Sequence, residues 1–170
     1  MNRLTEIANK YNCDKGSVAF EAHGYTEIYN KYIPSEGVYT LLEIGIWKGD
    51  SLKMWHEYNP QLIVHGVDIH PLIDKVEGTT IHVGSGSDYA FITDLVMKTS
   101  PDFVIDDGSH RYSDIMSSFM FIHPLLKKGA YYFIEDLHAS YAQREKVMEE
   151  LSAITPFIME CNDKLLILRK

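Results

Sequence analysis

After about residue 39 the chain alternates between short, almost wholly apolar segments and longer segments whose apolar residues recur every three or four positions. Few architectures accept that pattern. The short segments, 39–44, 62–68, 79–83, 103–106 and 130–135, are rich in β-branched and aromatic residues, as expected for strands covered on both faces. Between them 50–58, 88–98, 112–126 and 140–154 carry the helical period, and Ile115, Met116, Phe119, Met120 and Ile122 form a buried stripe in the third of these. Strand and helix in strict alternation imply a parallel sheet with right-handed crossovers. The segments 157–159 and 165–168, joined by Cys161-Asn162-Asp163-Lys164, add a terminal hairpin. The expectation is an α/β fold: a mostly parallel twisted sheet, helices on both faces, and one antiparallel strand near an edge.

Residues 1–38 read as a helical lead-in, with helices over 4–11 and 25–32 closed by the turn Pro34-Ser35-Glu36-Gly37. With 170 residues, lead-in and sheet make one domain. Sixteen basic against 24 acidic residues give a net charge of −8, which offers no general attraction to phosphate backbones or anionic lipid. Nucleic acid and membrane are therefore not expected partners. No apolar run approaches the ~18–20 residues of a membrane span, and the N-terminus does not read as a signal peptide. Cys13 and Cys161 form neither a disulfide framework nor a metal spacing, and a cytoplasmic setting is expected.

Ligands of open α/β sheets bind beyond the carboxyl ends of the strands. The first such turn, Glu43-Ile44-Gly45-Ile46-Trp47-Lys48-Gly49-Asp50-Ser51, has two glycines that let backbone amides approach a ligand, but not the G-x-G-x-x-G dinucleotide signature. Asp68 ends the second strand, where a carboxylate can accept from ribose hydroxyls or serve as a turn cap. Gly84-Ser85-Gly86-Ser87-Asp88 follows the third, suited either to helix capping or to an adenine edge. His65, His82 and His123 read as packed or surface histidines, and Tyr25, Tyr29 and Tyr32 share one helical face.

The fourth and fifth strand ends carry Ile105-Asp106-Asp107-Gly108-Ser109-His110 and Ile134-Glu135-Asp136-Leu137-His138. Adjacent strand ends lie about 5–10 Å apart, so four carboxylates and two imidazoles can converge. Carboxylates so gathered repel one another unless a cation sits among them, and oxygen ligands suit Mg²⁺, Mn²⁺ or Ca²⁺.

These residues resemble a known family, the metal-dependent, S-adenosylmethionine-dependent O-methyltransferases of sugar hydroxyls of the macrocin and mycinamicin type. The resemblance rests on L-E-I-G-I-W-K-G-D-S, F-V-I-D-D-G-S-H and F-I-E-D-L-H-A-S-Y, and it extends forward to Asp14-Lys15-Gly16 and His23-Gly24-Tyr25. It implies the Rossmann-like class I methyltransferase fold over 39–170, with 1–38 covering the cofactor site. It implies Asp107, Glu135 and Asp136 as Mg²⁺ ligands and His110 as general base. Glu43, Gly45, Gly49, Ser51, Asp68, Ser85 and Asp106 would contact S-adenosylmethionine, with Lys15, Tyr25 and Tyr29 in the cover. Family members acting on macrolide sugars carry further acceptor-enclosing segments. Without them the expectation is a large acceptor, such as a glycan terminus, on an open face, or a homo-oligomer in which a second copy completes the pocket. Two other readings of the acidic turns stay open: a metal-dependent hydrolase, and a non-catalytic nucleoside- or metal-binding module.

Overall fold

The structure, a computed structural model, describes residues 1–170. Strands β1 (Thr40–Ile44), β2 (Ile63–Asp68), β3 (Thr79–Val83), β4 (Phe103–Asp106), β5 (Tyr131–Ile134), β6 (Phe157–Glu160) and β7 (Leu165–Arg169) form one sheet in the order β3-β2-β1-β4-β5-β7-β6. Neighbours from β3 to β5 pair in parallel, while β7 runs antiparallel to both β5 and β6. The expected terminal hairpin is present, and its second strand, antiparallel to both neighbours, lies between β5 and the edge strand β6.

Side-chain alternation along each strand divides the core into two layers. Leu41, Val64, Ile105 and Phe133 face helices α1 (Arg3–Lys10), α2 (Thr26–Tyr32) and α3 (Asp50–Tyr58). Leu42, Val104, Tyr132 and Ile134 face α4 (Tyr89–Thr99), α5 (Tyr112–Ile122) and α6 (Arg144–Ser152). The lead-in is part of the first layer, with Leu4, Ile7, Tyr25 and Tyr29 buried against the sheet. Capping sets two helix starts: Asn2 accepts from the Thr5 N–H, and Asp88 from the Phe91 N–H.

Four local expectations are corrected. The helix expected over 112–126 stops at Ile122 and tightens into a 3₁₀ turn, His123–Leu125, because Pro124 cannot continue an α-helical ladder. The helix expected over 140–154 is split by Gln143, at φ 50°, into a 3₁₀ turn and α6. Met120 is 49% exposed and leaves the buried stripe, since a period of 3.6 carries it past the face on which Phe119 and Ile122 sit. Strand β3 lies at the sheet edge, which leaves Val83 exposed rather than covered on both faces. No helix is long and apolar enough to cross a membrane.

The strand order reverses between β1 and β4, since β1 leads outward to β2 on one side and β4 to β5 on the other. Open α/β sheets form their ligand crevice at that switch point, beyond the carboxyl ends.

Candidate active site at the strand ends

A cleft of about 290 Å³ opens over the ends of β1 to β4, with Gly45, Asp68, Ser85, Asp106, Ser109 and His110 among its walls. Its floor exists because residue 45 is glycine. Gly45 has φ +85°, and a Cβ there would overlap the carbonyl of Asp107, so only glycine allows the β1 and β4 turns to touch.

Asp68 organises the same turn. Its Oδ2 accepts the N–H groups of Ile46 and Trp47, each at 3.0 Å, and its Oδ1 accepts the His70 N–H at 2.8 Å. Burial would raise its pKa, but these backbone donors outweigh burial and hold the carboxyl below its ordinary value. A carboxylate offers about four acceptor sites, so Oδ1 keeps room for one more donor on the cleft side. Ser85 lies across the cleft with its hydroxyl 2.9 Å from that of Ser87. Asp106 is 5% exposed and accepts from the Tyr132 hydroxyl at 3.1 Å. Burial pushes its pKa up to about 7 against the pull of Tyr132 and the Gly108 N–H.

Three expected cofactor contacts stand outside this cleft. Glu43 points to the opposite face of β1 from Ile44, into the core, where the Trp55 indole N–H donates to it at 3.2 Å. Gly49, at φ +73°, starts α3 and packs beneath Ile73 and Val76. Ser51 is buried in the first turn of the same helix.

Beside the cleft the acidic turns of β4 and β5 do converge, and the structure sorts their side chains into two groups. The inner group surrounds Lys15, which is 1% exposed. Its ammonium donates to Asp107 at 2.5 Å and Glu135 at 2.8 Å and lies 3.4 Å from Glu43. The other Glu135 oxygen accepts from the Tyr29 hydroxyl. Both oxygens of Glu135 are therefore engaged by protein donors, and Glu135, expected as a Mg²⁺ ligand with Asp107 and Asp136, stands apart from the cluster that those two form with His110. Lys15 and Tyr29 accordingly face the carboxylates, not the cleft.

The outer group is Asp107, His110 and Asp136, whose ligating atoms lie within 4.8 Å of one another. His110 Nε2 is 3.8 Å from Asp107 Oδ1 and 3.7 Å from Asp136 Oδ2. Tyr25 donates to Asp136 at 2.7 Å. His110 at φ 54° and Asp136 at φ 56° both hold the left-handed conformation, which costs of order 1–3 kcal/mol for such residues and directs their side chains toward each other. His23 and His138 approach Asp136 from the other side.

The charge balance bears on what this site can hold. One ammonium faces Glu43, Asp107 and Glu135, with Asp136 beyond. Burial, with Asp107 adding to it, drives the pKa of Glu135 well up, and burial raises Asp107 even against Lys15 and His110. A divalent cation near Asp107 and Asp136 would relieve this excess, and the oxygen and imidazole donors fit such an ion.

Strand order 3-2-1-4-5-7-6 with a glycine turn at the switch point defines this chain as having the class I methyltransferase fold. Solved structures agree: MycE methyltransferase from mycinamycin biosynthesis, in complex with Mg, SAH and mycinamycin VI, superposes with TM-score 0.78 at 23% identity, covering 99% of this chain and 54% of that one. In sequence the chain is a relative of the macrocin- and mycinamicin-type sugar O-methyltransferases. It is 34% identical over 149 residues to demethylmacrocin O-methyltransferase of Streptomyces fradiae, and 30% identical over 150 residues to mycinamicin VI 2''-O-methyltransferase of Micromonospora griseorubida. Each match covers 81% of this chain but only 37% of the relative. The chain thus spans under two-fifths of the length of these curated relatives. No family model matches it.

Proposed function

We propose that the chain transfers the methyl group of S-adenosylmethionine to a hydroxyl of a sugar or glycan acceptor, assisted by a divalent cation. One observation carries the reading: His110 belongs both to the wall of the nucleoside-sized cleft and to the carboxylate pair, so donor and acceptor sites share one imidazole.

In this reading Asp68 receives a ribose hydroxyl on its free acceptor site, and the turn amides that it fixes shape the wall beside it. Ser85 and Asp106 line the nucleoside and methionine portions. Asp107 and Asp136 would hold the cation, with Lys15, itself fixed by Glu135, bracing Asp107 from behind. A divalent ion held by these residues would supply Lewis acidity to the acceptor hydroxyl. His110 takes the hydroxyl proton at Nε2, the ring nitrogen that faces Asp107 and Asp136. Proton removal by a placed base contributes ~10²–10⁴-fold, and alignment of reactants up to ~7–11 kcal/mol. The acceptor in this reading is a sugar borne on a larger molecule, in a cytoplasmic setting.

Differential thermal unfolding with adenosylmethionine or adenosylhomocysteine, with and without Mg²⁺, tests the donor site. Ligand at 100 times its dissociation constant adds ~2.7 kcal/mol of stability. Radiolabelled methyl transfer across free and aglycone-linked sugars tests the reaction. No stabilisation by either compound, together with no transfer, would overturn the reading; activity undiminished in chelator would remove the cation from it.

A further inference from the structure

Asp136 is shared by two clusters, and the reaction above uses one of them. Its Oδ2 faces His110, whereas its Oδ1 faces His23 Nε2 at 3.6 Å and His138 Nδ1 at 3.9 Å. Both separations are too long for hydrogen bonds. They are instead close to the spacing of two atoms on a common ion, since bonds of about 2.1 Å at tetrahedral angles place neighbouring ligand atoms about 3.4 Å apart. Ligating atoms of His23, Asp136 and His138 all lie within 4.8 Å of one another.

We propose that His23, Asp136 and His138 form a second cation site, selective for a borderline transition ion such as Zn²⁺. Two imidazoles and one carboxylate suit zinc, nickel or cobalt, whereas the oxygen-richer pair Asp107 and Asp136 suits Mg²⁺ or Mn²⁺. The site is built before any ion arrives. The His23 ring stacks on Tyr25 at 5.1 Å, and the Tyr25 hydroxyl anchors Asp136. The His23 backbone N–H is fixed to the Asp14 carbonyl at 2.8 Å. Tyr25 occupies one lone pair of Oδ1 and leaves the other free.

A second observation points to a missing partner. His23 Nε2, the ring nitrogen that faces the cluster, makes no hydrogen bond and reaches only the distant Asp136 Oδ1. An ion between them gives Nε2 the partner it lacks. His138 is 43% exposed, which leaves the outer coordination position open to water. The ion would staple the lead-in to the tip of β5, and it requires no methyl transfer.

Calorimetric titration of the whole chain with Zn²⁺ in saturating Mg²⁺ tests the site. The expected result is one Zn²⁺ site that Mg²⁺ does not displace, weakened at least ~10-fold by His23→Ala and by His138→Ala but retained in His110→Ala. His138→Ala removes a half-exposed side chain and keeps the test independent of folding. Absorption bands of bound Co²⁺ that vanish in the same two variants are the second readout. Absence of Zn²⁺ binding, binding unaltered in both variants, or binding lost with His110 alone overturns the proposal. Because only ion binding is read, failure here leaves the methyl-transfer reading standing.

Discussion

Lys15 and Glu135 stand 120 positions apart in the chain and meet at 2.8 Å, both withdrawn from solvent. The contact joins the loop after α1 to the tip of β5, and the same ammonium holds Asp107 at the tip of β4. One cation thereby sets the spacing of the two acidic turns.

Removal of one partner from a buried ion pair leaves an uncompensated charge, at a cost of about 3–5 kcal/mol. Lys15→Met is expected to lose that much stability in urea unfolding, and Glu135→Gln added to it should restore part of the loss. Parental stability in Lys15→Met would show that the ammonium does not organise the turns.

Glu43 gives a pH dependence. Burial pushes its pKa up to about 7, although Lys15 pulls the other way. An unfolded glutamate releases its proton near 4.3, so between about pH 4.5 and pH 7 the folded state binds more protons than the unfolded one. Stability from this group therefore falls as pH rises through that window and stays low above it. Glu43→Gln, which keeps an acceptor for Trp55, should flatten the stability difference between pH 5 and pH 8 by up to about 3 kcal/mol. Parallel slopes for parent and variant in paired denaturation curves would contradict this.

Asp68→Ala should act on both binding and fold. Three backbone N–H groups lose their acceptor, which predicts a stability loss of about 1–3 kcal/mol as well as weaker adenosylmethionine binding in calorimetry. Asp68→Asn, which retains one acceptor oxygen, should recover part of each. An unchanged dissociation constant in both variants would exclude Asp68 from the donor site.

His110→Ala should lower turnover by at least ~10²-fold and change donor affinity little, because it removes the proton acceptor and leaves the Asp68 side of the cleft intact. Initial rates set against calorimetric dissociation constants separate the two effects. Full activity in the variant would assign proton removal elsewhere.

The alternation of strand and helix, the helices on both faces of the sheet and the terminal hairpin could all be read from the chain because each depends on short-range patterns: alternation by two in strands, recurrence by 3.6 in helices, and turn residues between them. Helix ends were less readable where one residue decides, as Pro124 and Gln143 do. The placement of acidic motifs after β4 and β5 likewise followed from strand position alone.

What each carboxylate faces was decided only in three dimensions. Glu135 and Asp136 are adjacent in sequence, yet Glu135 turns inward to Lys15 and Tyr29 while Asp136 turns outward to His110 and His23. Glu43 and Asp68 were both expected at the cofactor; alternation along β1 sent Glu43 into the core, whereas Asp68 stayed on the cleft as the acceptor for the glycine turn. The sequence by itself determined the sheet and the strand tips at which chemistry can occur, because backbone pairing and apolar burial respond to local pattern. Only tertiary structure decided which acid meets which cation, because Lys15 and His23 arrive from a lead-in whose position depends on packing across the whole first layer, and charge pairing in a buried site is settled by distances of a few ångströms that spacing along the chain does not encode.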